Sequence, residues 1–275
     1  MRPATPADRP AVEAFCRAHI ERAMFPLSNL ARFGWEGSAP YAPRFWLAER
    51  AGEVTDVLAR CTNGATMPLL PSGNFAAAAA CLAGGPVSAV LGPADWARGL
   101  IAALPLAGAR PTLDRDEPHY ALDLARLHLP EGPGELVPLS RVPLDLLTEW
   151  RDLYDREALG AEGSDGKARA EIEGYIAADS HRALVVDGVP VAMTGFNAWT
   201  PDAVQVGGVY TPVLLRRRGH AGRAVALHLA EARARGVRRA ILFSASAGAA
   251  RVYERLGFRR IGDWTLYLLR EAVDV

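Results

Sequence analysis

The chain has 275 residues, half of them hydrophobic, and its 31 basic residues equal its 31 acidic ones. That length suits one large domain or two of medium size, either able to bury a core. The neutrality is an average: from Gln205 to Val275 there are 13 Arg against 5 acidic residues, a surplus of +8 that the rest of the chain balances with −8. Among the basic residues only Lys167 is a lysine, which reads as a composition bias before it reads as a preference for guanidinium groups.

Cys16, Cys61 and Cys81 are odd in number and show neither CxxC spacing nor a partner cluster of His. This points to a reducing, cytoplasmic setting without structural zinc. Charges at Arg2, Asp8, Arg9 and Glu13 interrupt any early apolar run and speak against a signal peptide. Residues 61–94 carry no charge, but Pro68, Pro71, Gly73, Gly84, Gly85 and Pro86 cut them into pieces shorter than the ~20 residues a membrane-spanning helix needs. A buried core is expected there, and no membrane.

In chain order, Met1–Ala4 reads as a strand and Ala7–Ala23 as a helix. Arg44–Arg60 reads as a hairpin turning at Ala51-Gly52, followed by a helix at Phe75–Leu82, a strand at Val87–Leu91 and a helix at Ala94–Leu104. Turn formers then cluster from Pro130 to Pro138, the clearest linker. After it come a strand at Glu135–Val142, a helix at Asp145–Leu159 with Leu146, Leu147, Trp150, Leu153 and Tyr154 at helical spacing, and a helix from Lys167 to Ala178. His181–Val186 and Val189–Asn197 form a hairpin about Asp187-Gly188, and Ala203–Tyr210 is a further strand. A long helix from Gly219 to Arg235 is stopped by Gly236. The chain ends with a buried strand at Arg239–Ser244, a helix marked by Ala249, Val252, Tyr253 and Leu256, and a strand at Trp264–Leu269. The order β, α, α, β, β, β, α, β, α, β calls for an α/β fold, a mixed sheet with helices on both faces. The first half follows the same order loosely, which implies a diverged duplication.

The chemistry concentrates between a strand and a helix, in Val209, Tyr210, Thr211, Pro212, Val213, Leu214, Leu215, Arg216, Arg217, Arg218, Gly219, His220, Ala221 and Gly222. Glycine at a helix start lets several backbone N–H groups converge on one anion, and the helix dipole favours negative charge there. Guanidinium groups beside those amides suit a diphosphate, because each binds two oxygens at once.

The spacing Arg216-x-x-Gly219-x-Ala221 after a strand resembles the Arg/Gln-x-x-Gly-x-Gly/Ala signature of the GNAT superfamily of N-acetyltransferases. Downstream, Ala249-Ala250-Arg251-Val252-Tyr253-Glu254-Arg255-Leu256-Gly257-Phe258 resembles that family's closing helix, Ala-x-x-x-Tyr-x-x-x-Gly-Phe. The resemblance covers residues 134–275. It implies tandem GNAT-like domains, each a twisted and mostly antiparallel sheet flanked by helices: residues 1–130 a degenerate copy without a phosphate loop, residues 134–275 the catalytic one. It further implies acetyl-CoA as co-substrate, its diphosphate on Arg217–Gly222 with Arg216 alongside, and its pantetheine arm running beside Val209, Tyr210 and Thr211. The paired Gly207 and Gly208 fit a bulge or close approach in that strand. Tyr253 is then the acid that protonates the departing thiolate.

Two positions depart from the family. Ser246 stands where many relatives have Asn seven residues before the tyrosine, and keeps one hydroxyl for the cofactor arm. Gln205 or Val206 stands where several have a Glu on the strand, so deprotonation of the amine falls to water or to Asp152, Asp155 or Glu157. The six histidines show no HxxxH or HxH spacing, so no metal is expected. At Pro71-Ser72-Gly73-Asn74 the first half has no arginines and is expected to bind no CoA. From Leu144 to Glu173 nine acids face four bases, and since the resemblance puts this stretch at the acceptor entrance, it implies a cationic amine of a small molecule or peptide as acceptor. The rival readings are a non-catalytic acyl-CoA sensor and a nucleic-acid binder; aromatic residues at core-like periods speak against the latter.

Overall fold

The computed structural model describes residues 1–106, 108–159, 166–244 and 246–275, and in it the chain forms two compact units, Met1–His119 with Ile261–Val275 and Tyr120–Arg260. The first holds β1 (Arg2–Pro3), α1 (Arg9–Ala18), α2 (Ile20–Phe33), β2 (Pro43–Arg50), β3 (Glu53–Cys61), β4 (Ala65–Leu69), α3 (Phe75–Leu82), β5 (Pro86–Pro93), α4 (Ala94–Ala103) and β6 (Pro111–Asp123) through His119. The second holds the end of β6, β7 (Glu135–Pro138), α5 (Leu144–Leu159), α6 (Lys167–Ala177), β8 (His181–Val186), β9 (Val189–Trp199), β10 (Ala203–Tyr210), α7 (His220–Ala234), β11 (Arg239–Phe243), α8 (Ala247–Arg255) and the start of β12 (Arg259–Asp274). From β1 to β6 and again from β7 to β12 the order is β, α, α, β, β, β, α, β, α, β.

In the first unit the strands lie in the order β1-β2-β3-β4-β5-β12-β6, with β4 and β5 parallel. Val57, Leu58, Leu47, Leu69, Leu82 and Leu100 fill its core, and full burial of each such side chain contributes about 1.5–3 kcal/mol. In the second unit the order is β6-β11-β10-β9-β8-β7, with β10 and β11 parallel and the β7–β8, β8–β9 and β9–β10 pairs antiparallel. One helical layer, α5 with α6, packs Leu147, Trp150 and Ile172 against Ala183, Met193 and Tyr210. Helices α7 and α8 pack Val225, Leu229, Tyr253 and Leu256 against Val204, Val206 and Leu242.

Matching turns close the hairpins β2–β3 and β8–β9: Ala51 and Gly52, and Asp187 and Gly188, are left-handed at φ 51°, 84°, 50° and 77°. Two residues with positive φ give the turn whose twist suits a two-residue hairpin.

Four expectations change. The single helix at Ala7–Ala23 is two helices, broken at His19, whose Nδ1 lies 3.0 Å from the Phe15 carbonyl oxygen and whose backbone leaves the helical region at φ −114°, ψ 31°. The strand expected at Glu135–Val142 ends at Pro138 and turns through a 3-10 helix, Leu139–Arg141. The division at residues 130–134 falls inside the second unit, because Tyr120, Leu122, Leu124 and Leu127 are buried in its core. Trp264–Leu269, expected as its last strand, instead pairs antiparallel with β5 in the first unit, from Trp264↔Pro93 to Leu268↔Ala89.

Candidate functional site

Strand β10 carries the first irregularity. Between Gly207 and Tyr210 it advances three residues while its partner β9 advances two, from Gly195 to Met193, and Gly208 takes φ +60°. The strand therefore bulges at Gly208. A Cβ at Gly207 would fall 1.9 Å from Asn197 Nδ2, and one at Gly208 would fall 2.9 Å from His181 Nε2. Parallel pairing of β10 with β11 runs from Ala203↔Arg239 to Gln205↔Ile241. Beyond it lie Val209, Tyr210 and Thr211. The Tyr210 ring is buried beside Trp150, 6.2 Å between centroids, and burial pushes its hydroxyl pKa up. Thr211 is 9% exposed and its Oγ1 has no partner among the described residues.

After Thr211 the chain makes a 3-10 turn, Val213–Leu215, and enters α7 through Arg216, Arg217, Arg218 and Gly219. Arg217 and Gly219 are both left-handed, φ +62° and +83°. For glycine this is cheap, whereas for arginine it costs about 1–3 kcal/mol. Gly219 is the N-cap, and no side chain caps the helix, so the leading amides of His220, Ala221 and Gly222 have only external partners to find. Arg217 and Arg218 are exposed. Arg216 differs: its Nε donates to the Thr211 carbonyl at 2.9 Å and its Nη2 to Glu157 Oε2 at 2.5 Å, so it ties the loop to α5. The pKa of His220 is lowered by partial burial and by Arg218. The corresponding helix of the first unit is closed, since Asn74 Oδ1 accepts from Ala77 N–H at 3.3 Å.

Gly222 meets α8, for a Cβ there would fall 2.9 Å from Val252 Cγ1. Ser246 caps α8, its Oγ accepting from Ala249 N–H at 3.2 Å, which leaves the hydroxyl proton for another partner. Tyr253 is 8% exposed and its ring stands edge-on to Phe258 at 6.0 Å.

Each acid offered as a base is paired: Asp152 with Arg156 at 2.7 Å, Asp155 with Arg151 at 2.8 Å, and Glu157 with Arg216. Burial raises the pKa of Asp155. Gln205 is buried, its Nε2 donating to the Val206 carbonyl at 2.6 Å. Residues 160–165, which carry two of the nine acids counted between Leu144 and Glu173, lie outside the described residues. Among the described residues no cluster of His, Cys, Asp and Glu could hold a metal, and no helix is long and apolar enough to cross a membrane.

His181 was missed from the sequence. It stands on β8 directly opposite Gly195, which in turn stands opposite Gly207 on β10. Its ring stacks on Tyr175 at 3.7 Å and 10°, and a Cβ at Gly195 would fall 2.0 Å from it. The signal available was a histidine opening a strand, with glycines at the facing positions of two later strands.

The geometry agrees with an independent comparison: the acetyltransferase (GNAT) family model matches residues 147–258. Residues 147–258 are a GNAT domain. No curated protein matches the sequence. Among solved structures, the chain is similar to a GCN5-related N-acetyltransferase from Kribbella flavida (18% identity, 92% of this chain and 95% of that one, TM-score 0.56). It is also similar to one from Sphaerobacter thermophilus (18%, 97% and 93%, 0.54) and to a Drosophila protein (13%, 97% and 97%, 0.67). At these identities the likeness shows the fold alone, and it extends over nearly the whole chain. Acetyl-CoA is the co-substrate of the GNAT family, and the residues of the GNAT domain fit one: an uncapped helix start, exposed arginines beside it, and a bulged strand leading to it.

Proposed function

We propose that the chain transfers the acetyl group of acetyl-CoA to a primary amine of a small molecule or peptide. The observation that carries this is the open N-terminus of α7, entered through a strained Arg217 and flanked by Arg218. A charged side chain held in a costly backbone conformation beside unpaired helix-start amides suits an oxyanion cradle. Arg217, Arg218 and the amides of Gly219–Gly222 hold the diphosphate, with His220 beside it. The pantetheine arm lies along Val209–Thr211, with Ser246 donating to it, and Tyr253 protonates the departing thiolate. Arg216 acts by holding the loop to α5. The first unit, with α3 capped by Asn74, contributes no cofactor site.

The acidic surplus of residues 144–173 supports a cationic acceptor. Much of it is spent within the unit, since Asp145 and Glu173 pair with Arg169, and Glu171 with Arg151. A second reading, an acyl-CoA sensor without turnover, is favoured by the burial of Tyr253.

Calorimetry with acetyl-CoA, followed by a thiol-release screen over polyamines, aminoglycosides, amino acids and peptide N-termini, tests both. A ligand that binds only the folded state raises Tm, by about 2.7 kcal/mol of stabilisation at a hundredfold excess over Kd. No shift at millimolar acetyl-CoA removes the proposal; binding without release of thiol to any amine leaves the sensor.

A further inference from the structure

We propose that His181 donates a hydrogen bond from Nε2 to the carbonyl oxygen of the acyl thioester and holds that oxygen as it becomes negative. This rests on the acyl-CoA reading above and adds a residue to it. Three strands bring the ring to its place. His181 on β8 reaches across Gly195 on β9 to the bulge of β10, where Nε2 faces Gly208. Both glycines are required: a Cβ at Gly195 would strike the ring at 2.0 Å, and one at Gly208 would come within 2.9 Å of Nε2. The stack on Tyr175 fixes the plane of the ring. Ser180 Oγ lies 2.9 Å from Nδ1; with that hydroxyl donating, the ring proton sits on Nε2.

Nε2 is 1% exposed with its residue and has no hydrogen-bond partner among the described residues. Leaving a buried donor unpaired destabilises the fold. An unpaired polar atom retained at the bulge is explained if a ligand supplies the partner.

The surroundings choose between donor and base. Burial, with Arg151 and Arg182 nearby, holds the imidazole neutral, with a pKa lowered to about 3. Such a ring is a poor proton acceptor, whereas an N–H donor held in place suits an oxygen gaining negative charge. In the reaction the amine nitrogen attacks the carbonyl carbon and the π pair moves onto oxygen, where the Nε2–H bond strengthens. Collapse restores C=O, the C–S pair leaves with sulfur, and the proton shed by nitrogen ends on the thiolate. The histidine keeps its own proton throughout.

The test uses the full chain with acetyl-CoA labelled with carbon-13 at the thioester carbonyl, so that no acceptor amine need be known. Infrared difference spectra are recorded for the wild type, His181→Phe and His181→Gln, beside calorimetric affinities and melting temperatures. The bound carbonyl stretch is expected to lie at lower frequency in the wild type than in His181→Phe, with Gln, which keeps a donor, in between. His181→Phe should bind acetyl-CoA with similar affinity and transfer about 100- to 1,000-fold more slowly once an amine is found, the melting temperatures showing that each variant is folded. If acetyl-CoA binds and the stretch is the same in all three proteins, the role of His181 is overturned while the acyl-CoA reading stands. If the wild type binds no acetyl-CoA, the acyl-CoA reading itself falls.

Discussion

The loop residues and Tyr253 make separable claims. Tyr253→Phe removes one oxygen and leaves a ring that still packs on Phe258 and the α8 side of the sheet. If the hydroxyl protonates the thiolate, turnover should fall by about 10- to 1,000-fold, while acetyl-CoA affinity and Tm stay near wild type. Steady-state kinetics at saturating acetyl-CoA with an accepted amine decides this, and full activity would return Tyr253 to the core. Arg217 allows a sharper comparison, because its backbone is left-handed at φ +62°. Arg217→Ala keeps the strain and removes the charge; Arg217→Gly relieves the strain and removes the charge. The glycine variant should equal or exceed the alanine variant in stability, by up to about 1–2 kcal/mol. Both should weaken acetyl-CoA binding alike, read by titration calorimetry. Normal affinity in either variant would take Arg217 out of the phosphate cradle.

At the scale of elements, the site depends on the start of α7 packing against α8 and on one strand bulging. Gly222 lies in the first turn of α7, where Val252 of α8 leaves no room for a methyl group. Gly→Ala inside a helix ordinarily gains about 1 kcal/mol, yet here the new Cβ would sit 2.9 Å from Val252 Cγ1, a branched and stiff side chain. The clash should win, so that Gly222→Ala lowers stability by about 1–3 kcal/mol, the ordinary cost of overpacking. Chemical denaturation of the full chain measures it, and Gly222→Ala with Val252→Ala should recover most of the loss. A stabilised single variant would show that α7 and α8 have slack. Most of this framework was legible in the sequence: β8, β10 and α3 match their expected bounds, because alternation, a two-residue turn and a glycine stop are local signals. Strands β4 and β6 were not. Strand β4 is short and wholly buried, so it shows no alternation, and β6 carries Asp114, Arg115, Asp116, Glu117 and Pro118, residues that usually mark a loop. The loop before α7 stood out as a candidate in the sequence because its arginines and glycines are contiguous. His181 did not, because its meaning depends on Gly195 and Gly208, which only strand pairing places beside it.

For the whole molecule, the boundary between the units escaped sequence reading for a related reason. Turn formers mark where the chain bends, whereas a unit is defined by which core buries a residue, and Leu124 and Leu127 are claimed by the second core before the Pro130–Pro138 bend is reached. Both units also bury neutral histidines, which sets how the protein responds to acid. Burial lowers the pKa of His119 to about 4 in the first unit and that of His181 to about 3 in the second, and holds His228 well below its ordinary value. Unfolding releases each imidazole to an ordinary pKa of about 6.5. Between its folded value and about 6.5 each is therefore protonated only in the unfolded chain, so stability rises with pH across that window and is complete above it. The slope approaches about 1.4 kcal/mol per pH unit for each imidazole, less near the ends of the window. Asp155 opposes this in part: burial raises its folded pKa, so its contribution declines as pH rises through that value. Three histidines against one carboxyl should leave the net sign with the histidines. Urea denaturation at fixed ionic strength should thus show stability nearly constant from pH 8 to 7 and falling steadily from pH 6.5 to 4.5. His181→Phe should flatten that fall by the share of one proton without removing it, because His119 and His228 remain. A profile flat to pH 4.5, or an undiminished slope in His181→Phe, would mean that at least one of these imidazoles is reached by water and titrates in the folded protein.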